Sequence, residues 1–360
     1  MKLTIPKSIL VNTIRSVIGA GAKGVRITVR KDKVAFTTSD GDLSIRGVLT
    51  VTDAEDGDVF VSATDLGMFA QRMPEGPVKL SLNAGKLVMT SGKVSMTVTT
   101  QPVANAPTVS FPTGDGVTIP AQGFSTALSQ VIDAAAKDVT RPALTGVLLE
   151  AREQGLRLVA TDSYRLAVRD VPGNSALPEG TSIVAPAMTL KVVAELLSSA
   201  DEVLVRLVDN VVGFEIPGIK VAMRLINSAY PDYSSVLPSA STTTVLVDRS
   251  ALHAALQRAV VANERNGFPI VHLSFSPVGK KVDMSAANLS GGTGATEELE
   301  ISGQGDAIKI AANPRYILDA VSQLKSDTVR MSFSGPLRPV LVSENSDSPE
   351  LRYVVMPSRV

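Results

Sequence analysis

The chain has 360 residues, 44% of them apolar and 19% charged, with 35 Lys and Arg balanced by 35 Asp and Glu. That length asks for two or three domains, the neutral balance argues against a protein that coats nucleic acid through overall basicity, and the lack of cysteine excludes disulfides and thiolate metal sites. No segment approaches the roughly 18 uninterrupted apolar residues of a membrane span, and the opening MKLTIPKSIL lacks the features of a secretory signal, so the expectation is a soluble cytoplasmic protein.

In chain order, residues 5–20 carry apolar positions at Ile9, Leu10, Ile14, Val17 and Ile18, a helical stripe entered through Pro6. The Gly-rich loop GAGAKG at 19–24 lacks the spacing of a nucleotide-binding loop. Alternating strands VRITVR, KVAFTT and LSIRGVL follow, then VSATDLGMFAQRMP from Val61, a β-like segment that becomes an amphipathic helix. Residues 78–100 read as strands joined by turns at Asn83-Ala84-Gly85 and Ser91-Gly92. After the turn-rich joint SFPTGDGV at 110–117 the plan repeats. A helix over 119–136 carries Phe124, Leu128, Val131 and Ile132, strands GVLLEA, LRLVAT and YRLAVRDV follow, a second helix begins near Val184, and further strands turn at Asp209-Asn210. Past a second joint, LPSASTTT at 237–244, a third copy opens with a helix carrying Leu252, Leu256, Val260 and Val261. It continues through IVHLSFS, KKVDMSA and TEELEIS to a helix from Ile310 and closes in TVRMSFSGPLRPVLVSE and LRYVVMPSRV.

Three copies of a doubled motif, starting near 5, 119 and 247, are domain-sized rather than solenoid-sized. The fold class expected is α+β: three tandem domains, 1–115, 116–242 and 243–360, each made of two β-α-β-β-β type motifs. Apolar stripes are buried best when helices gather on one side and sheets run edge to edge outside. Open end edges would invite head-to-tail pairing with a second copy. The stretch LRLVATDSYRLAV, 156–168, opens as a strand, breaks at Thr161-Asp162-Ser163 and resumes around Arg165. On chemistry alone it is a turn between strands. Its second half, Tyr164-Arg165-Leu166, is where this copy departs from its siblings, which marks it as a site. His253 and His272 are the only histidines and read as surface or packing residues.

Four segments, RPALTGVLLE with LRLVATDSYRLAV, YPDYSSVLP, NPRYILDAV and YVVMPSRV, in this order and spacing, resemble the bacterial beta sliding clamp, the beta subunit of DNA polymerase III, or a phage-encoded relative. The resemblance implies a homodimeric ring of six domains around double-stranded DNA, bound without regard to sequence. It implies no catalytic activity, and neither a cofactor nor a metal is expected. Pore helices and their loops would present Lys7, Arg15, Lys23, Arg72, Lys137, Arg141, Lys191, Arg258 and Lys325 to phosphates. A hydrophobic cleft between the second and third domains would take short linear peptides from DNA polymerase and clamp-loader subunits. Its walls would be Leu144, Thr161, Arg165, Leu166, Pro231, Val236, Val354 and Met356, with a neighbouring subsite of Tyr164, Asn313, Tyr316, Leu337, Pro357 and Arg359. The last residues should then be ordered and functional. Met96, Val98, Val260 and Val261 match the dimer interface. Ser163-Tyr164 stands where Gly-His is common, Ser235 where arginine often lies, and Ser358 where methionine often does, which leaves the peptide preference open. Two other classes remain: an enzyme using Asp162 and Arg165 beside Tyr164, disfavoured by the shortage of histidine, and a repeat peptide-binding scaffold that does not encircle DNA.

Overall fold

The structure is a computed structural model that describes residues 1–18, 22–263, 269–287 and 294–358. Contacts gather the chain into two compact units, residues 1–126 with 174–227 and residues 127–173 with 228–360. Six α-helices occur among the described residues: α1 (Lys7–Val17), α2 (Ala63–Arg72), α3 (Ala121–Ile132), α4 (Ala187–Leu197), α5 (Arg249–Ala262) and α6 (Pro314–Gln323). None is long and apolar enough to cross a membrane.

Each helix follows a short strand, and local chemistry fixes the switch. Pro6 and Pro186 sit extended at the entries to α1 and α4. Ser62, Asp248 and Asn313 cap α2, α5 and α6 by accepting from the amides of Asp65, Ala251 and Arg315. At the far end of α1 the Thr38 hydroxyl donates to the Val17 carbonyl. Asn263, buried behind α5, donates to the Ala259 and Ile270 carbonyls and accepts from the Ile270 amide at 3.1 Å. Both devices satisfy carbonyls that a helix end leaves open.

The stripe of α3 lies inward as the periodicity predicts, with Phe124, Leu128, Val131 and Ile132 buried. Two stripes are narrower than expected. Helix α1 buries Leu10, Ile14 and Val17 but leaves Ile9 43% exposed. Helix α5 buries Leu252, Ala255, Leu256 and Ala259, and Val261 is 68% exposed. The small alanines, in phase with the leucines at 3.6 residues per turn, take the inward face and rotate Val261 off it.

In the first unit a 13-stranded sheet runs, in spatial order, Val117–Pro120, Glu202–Val208, Val211–Ile216, Ile219–Arg224, Leu43–Thr50, Lys33–Ser39, Gly24–Arg30, Gly57–Ser62, Val94–Gln101, Lys86–Ser91, Pro77–Asn83, Lys2–Pro6 and Thr52–Glu55. Helices α1 and α2 pack on each other and on its central strands. The edge strand Thr52–Glu55 was not legible beforehand, because its polar TDAE has no alternation and stays mostly exposed.

The sheet of the second unit runs Gly146–Arg152, Gly155–Thr161, Arg165–Pro172, Leu351–Val355, Val340–Glu344, Thr328–Phe333, Thr243–Asp248, Gly294–Gln304, Lys281–Ala287, Val271–Ser276 and Ile308–Ala312, with α5 and α6 packed together upon it. The middle sequence repeat is divided between the two sheets. Its later strands join the first repeat through the register Ile219↔Gly47 to Met223↔Leu43. Its earlier strands join the third through Arg165↔Val355 to Arg169↔Leu351. Ring pairs mark the two cores, Phe124 with Phe214 at 6.0 Å and Phe275 with Phe333 at 4.7 Å.

Candidate functional site

The turn that separates Gly155–Thr161 from Arg165–Pro172 is built by its own side chains. The Asp162 carboxylate accepts from the amides of Tyr164 and Arg165, each at 2.9 Å, and the Thr161 hydroxyl donates to the Arg165 carbonyl at 2.6 Å. Ser163 sits at φ 78°, a left-handed conformation that costs a side-chain-bearing residue free energy. Its hydroxyl accepts from Arg141 at 2.7 Å, so one of the cations assigned to DNA is engaged by the turn. The strand pairing brings Leu351–Val355 alongside, and the Met356 amide donates to the Tyr164 carbonyl at 2.9 Å. Farther on, the Ser358 amide donates to the Ala311 carbonyl at 2.7 Å, which fixes Met356–Ser358 across the sheet end.

The segment YPDYSSVLP supplies the opposite wall. Tyr230 is half-buried and donates to the Val159 carbonyl at 3.4 Å, while Tyr233, buried, donates to Glu150 at 2.5 Å and accepts from Arg152 at 3.0 Å. Beneath it Arg157 pairs with Asp170 at 2.5 Å, and Arg352 joins the same carboxylate. Burial first, and then Glu150, push the Tyr233 phenol above its ordinary range. Two tyrosines thus anchor the loop, and Pro231 and Val236 between and after them face outward into a cleft.

That cleft, about 230 Å³, is lined by Leu144, Thr161, Arg165, Leu166, Pro231, Val236, Val354 and Met356, the eight walls read from the sequence, together with Ser163, Asp232 and Tyr233, which were not. All lie in the second unit. Beside it Tyr164, 62% exposed, stacks on Tyr316 at 6.5 Å with 21° between the rings. Arg165 lies over the Tyr316 ring at 4.8 Å. Burial and the neighbouring Asp162 raise the Tyr316 pKa, and Arg165 opposes them. Asn313 spends its side chain capping α6, Leu337 is 62% exposed in the connection after Thr328–Phe333, and Pro357 follows the Met356 wall. Arg359 lies outside the described residues. An apolar trough with a polar, aromatic rim suits an extended peptide carrying aliphatic or aromatic anchors.

The other candidate residues are scattered. Lys7 pairs with Glu75 at 2.7 Å and Arg258 with Glu297 at 2.5 Å, so both carry a compensating carboxylate. Arg15, Lys23, Arg72, Lys137, Lys191 and Lys325 are exposed on helices or the segments beside them. Val98 lies opposite Leu87 and is 2% exposed, so its side chain belongs to the core of the first unit. Met96 and Val260 are half-buried and Val261 is open. Among the described residues, 94–99 pair on one side only, with Lys86–Ser91, and 294–300 only with Lys281–Ala287. Each unit therefore offers an unpaired ladder edge.

The N-terminal, central and C-terminal domains of the DNA polymerase III beta subunit match residues 1–110, 118–232 and 234–359. The beta sliding clamp of Streptomyces coelicolor is 29% identical over 94% of this chain and 91% of that protein, and that of Micrococcus luteus is 31% identical over 68% and 79%. The crystal structure of the DNA polymerase sliding clamp from Bacillus subtilis superposes with a TM-score of 0.93 at 25% identity, covering 100% of this chain and 99% of that one. Fold and matches together define a DNA sliding clamp, a processivity factor of DNA replication. The chain belongs to the bacterial beta sliding clamp family, the beta subunit of DNA polymerase III.

Proposed function

We propose that this clamp acts as a non-catalytic cytoplasmic homodimer of three-domain chains, 1–115, 116–242 and 243–360. The ring closes through the open edges at 94–99 and 294–300, with Met96 and Val261 beside them. Exposed cations on the helices and their loops hold duplex DNA through phosphates, while topology supplies the lifetime. Polymerase and clamp-loader subunits dock by short linear peptides in the cleft of the second unit. The observation that carries this reading is the trough itself: Leu144, Leu166, Val236 and Val354, from four separate segments, converge on one opening beside a fixed Met356. The test is retention on DNA. Loaded onto nicked circular DNA by a clamp loader, the protein should stay bound through gel filtration and leave when the circle is cut. Dissociation that is equally fast before and after cutting would rule out encirclement and favour the peptide scaffold.

Docking is read with a fluorescent peptide carrying a Gln-x-x-Leu-Phe core. Removing Met356 to Val360 takes away one wall and its tether to Tyr164, and affinity should fall by about tenfold or more. An unchanged dissociation constant would place the site elsewhere. For a peptide without histidine, affinity should be flat between about pH 6 and 8, because the raised pKa values of Tyr233 and Tyr316 move phenol ionisation away from that window and no histidine lines the cleft. A titration of affinity centred near neutrality would contradict this.

A further inference from the structure

We propose that Asp319 is a positioning residue of the peptide cleft: with Tyr316 it grips the Arg165 guanidinium and locks the Thr161–Leu166 wall to α6. The inference rests on the reading of the cleft as the peptide site.

The guanidinium of Arg165 is committed to its own protein. Its Nε donates to Asp162 at 3.1 Å, Nη1 donates to Asp319, Nη2 donates to the Asp133 carbonyl, and its face covers Tyr316. The side chain is 13% exposed. A fork so engaged contributes to an incoming peptide through the shape and rigidity of the wall rather than through unused donors. Three chain segments meet at this one group: the 161–166 turn, the end of α3 and α6. Their sequence separations of 154 from Asp319 and 32 from Asp133 make Arg165 a long-range staple.

The three anchors differ in what else they do. Asp162 also holds two backbone amides, so its loss would collapse the turn. Asp133 offers its carbonyl, which substitution leaves in place. Among the described residues Asp319 makes its hydrogen bond and ion pair to Arg165 and is 47% exposed, which makes it the member that can be removed without breaking the fold. Tyr316 and Asp319 are three residues apart on α6, so one helix face presents an aromatic platform and a carboxylate to the same cation. Without the carboxylate, Arg165 gains rotamer freedom, its stack on Tyr316 loosens, and the Tyr164–Tyr316 shelf loses its fixed spacing from the trough. Binding must then supply the ordering that the free protein now holds in advance.

The test is a double-mutant cycle on peptide affinity, using the same fluorescent peptide and the full-length chain. Asp319→Ala should weaken binding about tenfold in the unaltered protein and by less than about twofold in an Arg165→Ala background. Asp319→Glu should recover most of the loss, Asp319→Asn little of it, and the melting temperature should move by less than about 3 °C. Val236→Asp serves as the control for the site. If Val236→Asp leaves affinity intact, the cleft is not the peptide site and both readings fall. If Val236→Asp abolishes binding while Asp319→Ala has no effect, or the same effect in both backgrounds, the positioning role alone is overturned.

Discussion

Val236→Asp should lower the affinity of a Leu-Phe-anchored peptide by at least about a hundredfold. Val236 ends a short 3-10 turn at the lip of the trough, opposite Leu166 and Val354. In the free protein it is only half-buried, so a carboxylate there keeps its water and the fold is not taxed. An apolar anchor entering the cleft must strip that water or force the acid to protonate, and among the described residues that line the cleft the one cation, Arg165, is already held by Asp162 and Asp319. Fluorescence anisotropy decides the matter. A change of less than about threefold would mean that the anchor does not enter here.

The second large effect belongs to the ring. Val261→Asp combined with Met96→Glu should raise the dimer dissociation constant by about a hundredfold or more and abolish retention on circular DNA. Val261 is 68% exposed and Met96 half-buried in the single chain, so neither substitution empties a core. Met96 lies on one open strand edge, and Val261 lies on α5, which packs against the strand that carries the other. Sedimentation should show monomers of unchanged thermal stability. Dimers that persist at nanomolar concentration would mean that the seam lies on another face. Val98→Asp would be a poor probe, because that side chain packs on Leu87 and the variant would report folding rather than assembly.

Periodicity made the repeats and the six helices legible, since a stripe such as Phe124, Leu128, Val131 and Ile132 is a local property of the sequence. The division of the middle repeat between two sheets was not, because strand partners such as Ile219 and Gly47 leave no mark in either segment's own pattern. The same limit applied at the site. Its apolar walls were readable from the four resembling segments, whereas Asp319, Asp133 and Tyr233 act through partners 154, 32 and 83 residues away. One signal was available: Tyr316 and Asp319 share a face of α6, so a cation attracted to the first would also meet the second. The inward face of α5 is set by its alanines rather than its valines. Alanines at 255 and 259 pack more closely than valines at 260 and 261, and a hydrophobicity count does not weigh closeness.

The division of the middle repeat also sets a timetable for synthesis. Strand Leu351–Val355 is the last of its sheet to be made, yet it lies inside that sheet, between Arg165–Pro172 and Val340–Glu344. Until residue 356 has left the ribosome, two neighbouring strands wait for their full partner, and the trough lacks part of its Val354 and Met356 wall. The first unit has no such delay, since its sheet is complete once Ile219–Arg224 has emerged. A nascent chain would therefore carry a finished first sheet well before it could engage a partner peptide, and the binding competence of the clamp would arrive only once Val354 and Met356 had emerged.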